Sequence, residues 1–212
     1  MCIRTAIIGY AIFLGSASVN AQVDTRKQGL IDLLMDYMDA RYPEHDASGD
    51  LLYVSVKSQV LYHVRGGRLL AEYPVATAAA GLGSDLDSYR TPTGLHCIEE
   101  KFGDTIPPLG ILKDREFTGE FADPAPDGTP ESQGIEHDWI TSRILWLDGL
   151  EPGVNQGGAK DSHDRYIYIH GTADERSVGT ASSMGCIRMR NADVITLYDR
   201  VPLGGLVVIL DN

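Results

Sequence analysis

The hydrophobic rhythm of the chain changes twice after residue 25. Between Thr25 and Tyr42, Leu30, Leu34, Tyr37, Met38 and Arg41 recur at a spacing of three to four, with Ile31 and Met35 widening the apolar stripe. This predicts one amphipathic helix packed on the rest of the chain, ended by Pro43. From Leu51 the period shortens. Residues 51–56 are β-prone, and the runs 60–64 and 69–75 flank Arg65-Gly66-Gly67-Arg68, a good hairpin turn. Alternation in these runs predicts one buried and one solvated face. Residues 78–90 are small, Gly-rich and acidic, a loop that leads through Thr91-Pro92-Thr93-Gly94 into a strand over 95–100.

The stretch 103–138 gathers prolines, glycines and acids without a period and reads as one long connection, either a binding loop or a surface insertion. Strand character returns over 139–147, lapses over 148–164 and returns at Tyr166-Ile167-Tyr168-Ile169, which ends on His170. Asn191 is placed as a helix N-cap ahead of Val194, Leu197, Tyr198 and Val201, and residues 206–210 form a terminal buried strand. The sum is a mainly β domain with a few short helices and an N-terminal helix.

Upstream, Arg4 followed by the uncharged apolar run 6–14 and by Val19-Asn20-Ala21 fits an export signal cut after Ala21. The run is shorter than the roughly 20 apolar residues of a membrane span. The expected division is therefore 1–21 signal peptide, 22–50 helical extension and 51–212 main domain, in an exported protein. Composition adds one exclusion. A net charge of −12 argues against nucleic acid or anionic lipid as a partner. No nucleotide-binding glycine loop or redox-cofactor motif is visible, and no cofactor is expected.

The candidate chemistry lies in Ile169-His170-Gly171-Thr172 and in Ser182-Ser183-Met184-Gly185-Cys186-Ile187-Arg188. The second segment sets a cysteine behind a small turn and just ahead of a helix. A thiol needs a base or a positive field to ionise at neutral pH, and His170 can supply the base. Backbone N–H groups at Gly185 and Cys186 are candidate oxyanion donors. Two other readings compete. With Cys2 removed by signal cleavage, Cys97 and Cys186 are the two remaining cysteines and could pair as a disulfide. His163, His170 and Cys186 could hold zinc, although their spacing fits no compact Cys/His pattern.

The segment 166–210 resembles the catalytic core of the L,D-transpeptidases, the YkuD family, in which a histidine precedes a Ser/Thr-x-Gly-Cys turn often followed by Ile-Arg. His170, Ser183, Gly185, Cys186 and Arg188 match that pattern, and the hairpin leading to Thr91-Pro92-Thr93-Gly94 resembles the family's N-terminal half. Met184 departs from it, since many members carry histidine there. The resemblance implies a β-sandwich or barrel-like fold, 51–212 as the catalytic domain and peptidoglycan stem peptides as substrate, and together with the signal peptide a periplasmic location. It implies Cys186 as nucleophile attacking the carbonyl of a tetrapeptide's third residue, His170 as base and Gly171 as the residue orienting the imidazole. Arg188, Ser183, Gly185 and Met184 become substrate-side candidates, and no metal is called for. The acyl group would pass to an amine, in 3→3 cross-linking or D-amino-acid exchange. The alternatives are transfer to water, by a carboxypeptidase or endopeptidase, and an inactive peptidoglycan-binding or zinc-binding protein.

Overall fold

The structure, a computed structural model, describes residues 25–123 and 139–212. The expected export signal with its cut after Ala21, and the last part of the 103–138 stretch, lie outside them.

The described chain is mainly β. After helix α1 (Thr25–Arg41) come β1 (Asp50–Ser55), β2 (Val60–Arg65), β3 (Arg68–Pro74), β4 (Gly94–Phe102), β5 (Gly110–Lys113), β6 (Glu116–Phe121), β7 (Ile140–Gly149), β8 (Tyr168–Thr172) and β9 (Ile187–Met189). Helix α2 (Asn191–Arg200) and β10 (Leu206–Leu210) follow. All ten strands belong to one mixed sheet in the order β3-β2-β1-β10-β4-β7-β5-β6, which branches at β7 to take β8 and then β9. β10 runs parallel to β1 and antiparallel to β4, so the last strand lies in the middle of the sheet.

Period-two alternation sorts β1 and β10 into two cores. Leu52, Val54, Val207 and Ile209 join residues of β7, β8, β9 and α2 in the larger core between the arms of the sheet. Leu51, Tyr53 and Val208 pack on the other side, against Ile31, Leu34 and Met38 of α1. The expected solvated face of β1 and β2 is therefore buried, because α1 covers it; alternation survives on β3. Tyr37 and Arg41 edge the helical stripe rather than filling it, and the Arg41 guanidinium meets Glu151 at 2.8 Å. Glu151 also accepts from the Tyr42 hydroxyl and the Leu95 N–H, which ties the end of α1 to β4.

The 103–138 stretch is not one loop. It builds the β5–β6 hairpin, whose inner strand pairs with β7. β6 is exposed along its whole length, so it carries no buried alternation to betray it. Among the described residues no helix is long and apolar enough to cross a membrane.

Burial also sets a pH limit. His96 of β4 is 0% exposed and contacts Ser162 Oγ and the Gly94 carbonyl, and burial pulls its pKa down to about 4. The unfolded chain binds this proton near pH 6.5 and the folded chain only near 4, so stability falls as pH drops through that window. The loss expected from this group is about 3 kcal/mol. Urea unfolding of His96→Gln beside the parent at pH 7, 5.5 and 4.5 checks it: the variant should show a flatter acid limb, and equal limbs would refute the assignment.

Candidate active site

β8 and β9 assemble the site by register. They run parallel with Ile169 opposite Ile187, His170 opposite Arg188 and Gly171 opposite Met189. One step back along the ladder sets Cys186 level with Tyr168. The contacts agree: the Tyr168 N–H donates to Cys186 Sγ at 3.4 Å, and the thiol faces the Tyr166 carbonyl at the same distance. Alternation puts Tyr168 and His170 on one face of β8, and Cys186 and Arg188 on the corresponding face of β9. The chemistry-bearing side chains separated by fifteen residues of sequence thus share one sheet face.

His170 lies inside β8 rather than at its end, because pairing with β7 continues through Gly171 and Thr172. Its ring is 1% exposed. Nδ1 lies 2.8 Å from the Gly171 carbonyl, which can only accept, so Nδ1 carries the proton and Nε2 becomes the basic nitrogen. Gly171 is held in turn. A Cβ there would come within 2.6 Å of the Thr141 carbonyl and 2.8 Å of Asn191 Oδ1.

Asn191 is not the N-cap expected from its position. Arg190 takes that place, while the Asn191 side chain turns into the sheet and bridges three elements. Its Oδ1 accepts from Thr141 and Ser142 of β7, and its Nδ2 donates to the Thr172 carbonyl of β8 and to Glu175. Glu175 also accepts the backbone N–H of Asn191, which satisfies a donor the cap would have taken. A β7 bulge at Ser142, with φ 64°, brings the two hydroxyls onto Asn191.

The cysteine turn is braced from inside. Ser183 Oγ donates to the Cys186 carbonyl at 2.6 Å and accepts the Gly185 N–H at 3.2 Å. Thr91 Oγ1 donates to the Gly185 carbonyl and accepts the Ala78 N–H, so the Thr-Pro-Thr-Gly segment reaches the site through its first residue. Gly185 has φ 130°, a conformation that side chains rarely adopt. A three-residue strand, not a helix, follows Cys186, because Arg188 exchanges backbone bonds with Ala76 as well as pairing with β8. The Arg188 side chain is buried and reaches the Ser182 hydroxyl. Met184 is 60% exposed beside Tyr166 and Arg165, on the rim of a 250 Å³ cavity.

Arg165 sits close enough for its charge to act on Cys186, and a cation there favours the thiolate. A second cavity of about 250 Å³, floored by Leu112, Ile140 and Ile144, opens on the other side of Tyr166. Trp146 stacks on Tyr166 and meets Tyr168 edge-on, completing an aromatic wall behind the sulfur. Sequence reasoning missed Asn191's inward role, this wall and the hairpin residue Arg115 that leans on it; only the repeated tyrosines at 166 and 168 hinted at the wall.

The competing cysteine readings do not assemble. Cys97 and Cys186 are both free thiols. Cys97 lies on β4 beside Glu99 and Asp148, where burial and the two carboxylates push its pKa up to about 11. His163 stacks flat on Trp146, ring centroids 3.9 Å apart, and among the described residues it does not gather with His170 and Cys186 as a ligand set.

Residues 49–209 match the L,D-transpeptidase catalytic domain family, YkuD. Among curated proteins, the chain is 46% identical over 54 residues to a putative L,D-transpeptidase, YqjB, of Bacillus subtilis, covering 26% of this chain and 31% of that one. It is 47% identical over 48 residues to the probable L,D-transpeptidase ErfK/SrfK of Escherichia coli, covering 23% and 16% respectively. The matched segments thus span less than a third of these relatives. L,D-transpeptidase 3 of Mycobacterium tuberculosis, solved as a faropenem-derived adduct, overlays 77% of this chain and 60% of its own, with TM-score 0.48 and 15% identity. With the family match extending over most of its length, the chain belongs to the YkuD family of L,D-transpeptidase catalytic domains.

Proposed function

We propose that this protein is an exported cell-wall L,D-transpeptidase working through a Cys186 thioester. The observation that carries the reading is the β8–β9 register, which sets Cys186 level with Tyr168, two residues from His170 on a common face, with Nδ1 already engaged by Gly171. In this mechanism His170 Nε2 takes the thiol proton and Sγ attacks the carbonyl of the third residue of a tetrapeptide stem. The proton passes to the departing amine, the C–N bond breaks and D-alanine leaves. An acceptor amine then gives its proton to His170, forms a new C–N bond and expels the sulfur.

The oxyanion forms beside the Met184–Cys186 turn. The Gly185 N–H is given to Ser183 Oγ, so an oxyanion would compete with that hydroxyl for it. Ser183 and Arg188 act by holding the turn in shape, and Met184 meets substrate at the open rim.

The test is incubation with disaccharide-tetrapeptide and a D-amino acid, beside a Cys186→Ala control, read by mass spectrometry. Cross-linked dimers or exchanged stems that require Cys186 are expected. Tripeptide alone would mean that water is the acceptor, and no Cys186-dependent product would overturn the reading.

A further inference from the structure

Arg115 occupies a position that backbone geometry alone would assign to glycine. The β5–β6 hairpin turns through Asp114 and Arg115 with φ of 51° and 69°. Both central residues are left-handed, as in the two-residue turns that favour Asn-Gly. An arginine there is conformationally disfavoured, and such strain tends to persist where a side chain has a task.

The backbone sends this guanidinium over the aromatic wall. It lies 4.8 Å from the centre of the Trp146 ring and 5.8 Å from that of Tyr166, with a long 3.4 Å bond to the Tyr168 hydroxyl. Among the described residues no carboxylate pairs with it, Asp114 included, although Asp114 shares the rim of the cavity. The other arginines at the site are differently engaged. Arg165 donates to the carbonyls of Gly83 and Arg90 and to Ser88 Oγ, and Arg188 is buried. Arg115 is therefore the guanidinium presented to the cavity.

That cavity lies on the side where amines must come and go. Ile144, part of its floor, is the ladder partner of His170, and Tyr168, part of its wall, gives its N–H to Cys186 Sγ. This cavity is the space, on the sheet face shared by His170 and Cys186, that an amine exchanging its proton with His170 would use. Attack by a free D-amino acid is the reverse of the step in which D-alanine left, so in exchange the two amines use the same place.

We infer that Arg115 is a specificity residue that clamps the α-carboxylate of the amino acid whose amine leaves from, or attacks, the Cys186 thioester. The ligand class is an α-amino acid end with a free carboxylate, held bidentately by a guanidinium braced over the Trp146 ring. This rests on the thioester reading above. It gives the D-alanine leaving group and a free D-amino acid acceptor of the proposed reaction one common handle, the carboxylate next to the reacting nitrogen.

The experiment uses the whole protein with a tetrapeptide donor and compares D-methionine with D-methioninamide as acceptor. In parallel, acylation is compared for donors ending in D-alanine and in D-alaninamide. Each acid-to-amide preference is measured for the parent and for Arg115→Gln, so that the differing basicity of the two amines cancels in the ratio. The parent's preference should fall about tenfold in both arms, the size of an arginine–carboxylate pair at a half-open site. Arg115→Gly, which suits the turn, should melt no lower than the parent and show the same loss, while Arg115→Lys restores part of it. An unchanged ratio in either arm, or a loss confined to a variant that melts early, overturns the inference. Absence of any Cys186-dependent product would remove the thioester reading and this one with it.

Discussion

Exchange of His170 for asparagine is expected to slow acylation of Cys186 by about 10²- to 10⁴-fold while leaving the fold in place. The asparagine Nδ2 stands where Nδ1 does and can donate to the Gly171 carbonyl, so the buried acceptor keeps a partner and the β8 ladder is undisturbed. What disappears is Nε2, the nitrogen that the proposed mechanism uses as base. The loss should appear as slower growth of the acyl-enzyme mass with tetrapeptide donor, together with slower alkylation of the thiol at neutral pH. Melting close to the parent with undiminished acylation would show that the proton goes elsewhere.

The second large effect is expected at Gly171, where alanine should cost about 3 kcal/mol of stability and most of the activity. Its Cβ would press on the Thr141 carbonyl, which belongs to the paired strand and cannot swing aside, and on Asn191 Oδ1, which already accepts two hydroxyls. β8 must move away from β7, and the carbonyl that orients His170 moves with it. For a domain of this size the melting temperature should drop by roughly 6–12 °C. At a temperature where the variant is folded, acylation should still fall, which a purely thermal defect would not produce. A variant with parental melting and parental acylation would show that the β7–β8 contact is softer than described.

The two motifs of the site were legible because their spacing is local. A strand ending near His170 and a tight turn before Cys186 can be read from a few neighbouring residues, and so can the apolar faces of α1 and α2. The β5–β6 hairpin escaped because its turn uses Asp114 and Arg115 rather than glycine and because its outer strand buries nothing. Asn191 was misplaced for a related reason. An asparagine before an apolar helical stripe ordinarily caps, and only the β7 bulge at Ser142, invisible in the pattern, brings hydroxyls close enough to draw the side chain inward. Burial on both faces of β1 was hidden in the same way: alternation gives the period of a strand, not the number of layers stacked on it.

The central place of β10 has a consequence for the order in which the molecule can assemble. Leu51 finds its parallel neighbour Leu206 across nearly the whole described chain, and Cys97 of β4 meets the same strand from the other side. Until residues 206–210 arrive, β1 and β4 face a gap one strand wide, and both cores lack residues that β10 contributes. Local hairpins such as β2–β3 can form early, but closing the sheet pays a loop-closure entropy that no local contact repays. Synthesis and folding are thereby kept apart in time. A chain emerging from its N-terminus cannot close the sheet until residues 206–210 are made, so Cys186 and His170 gain their settled surroundings only near the end of synthesis.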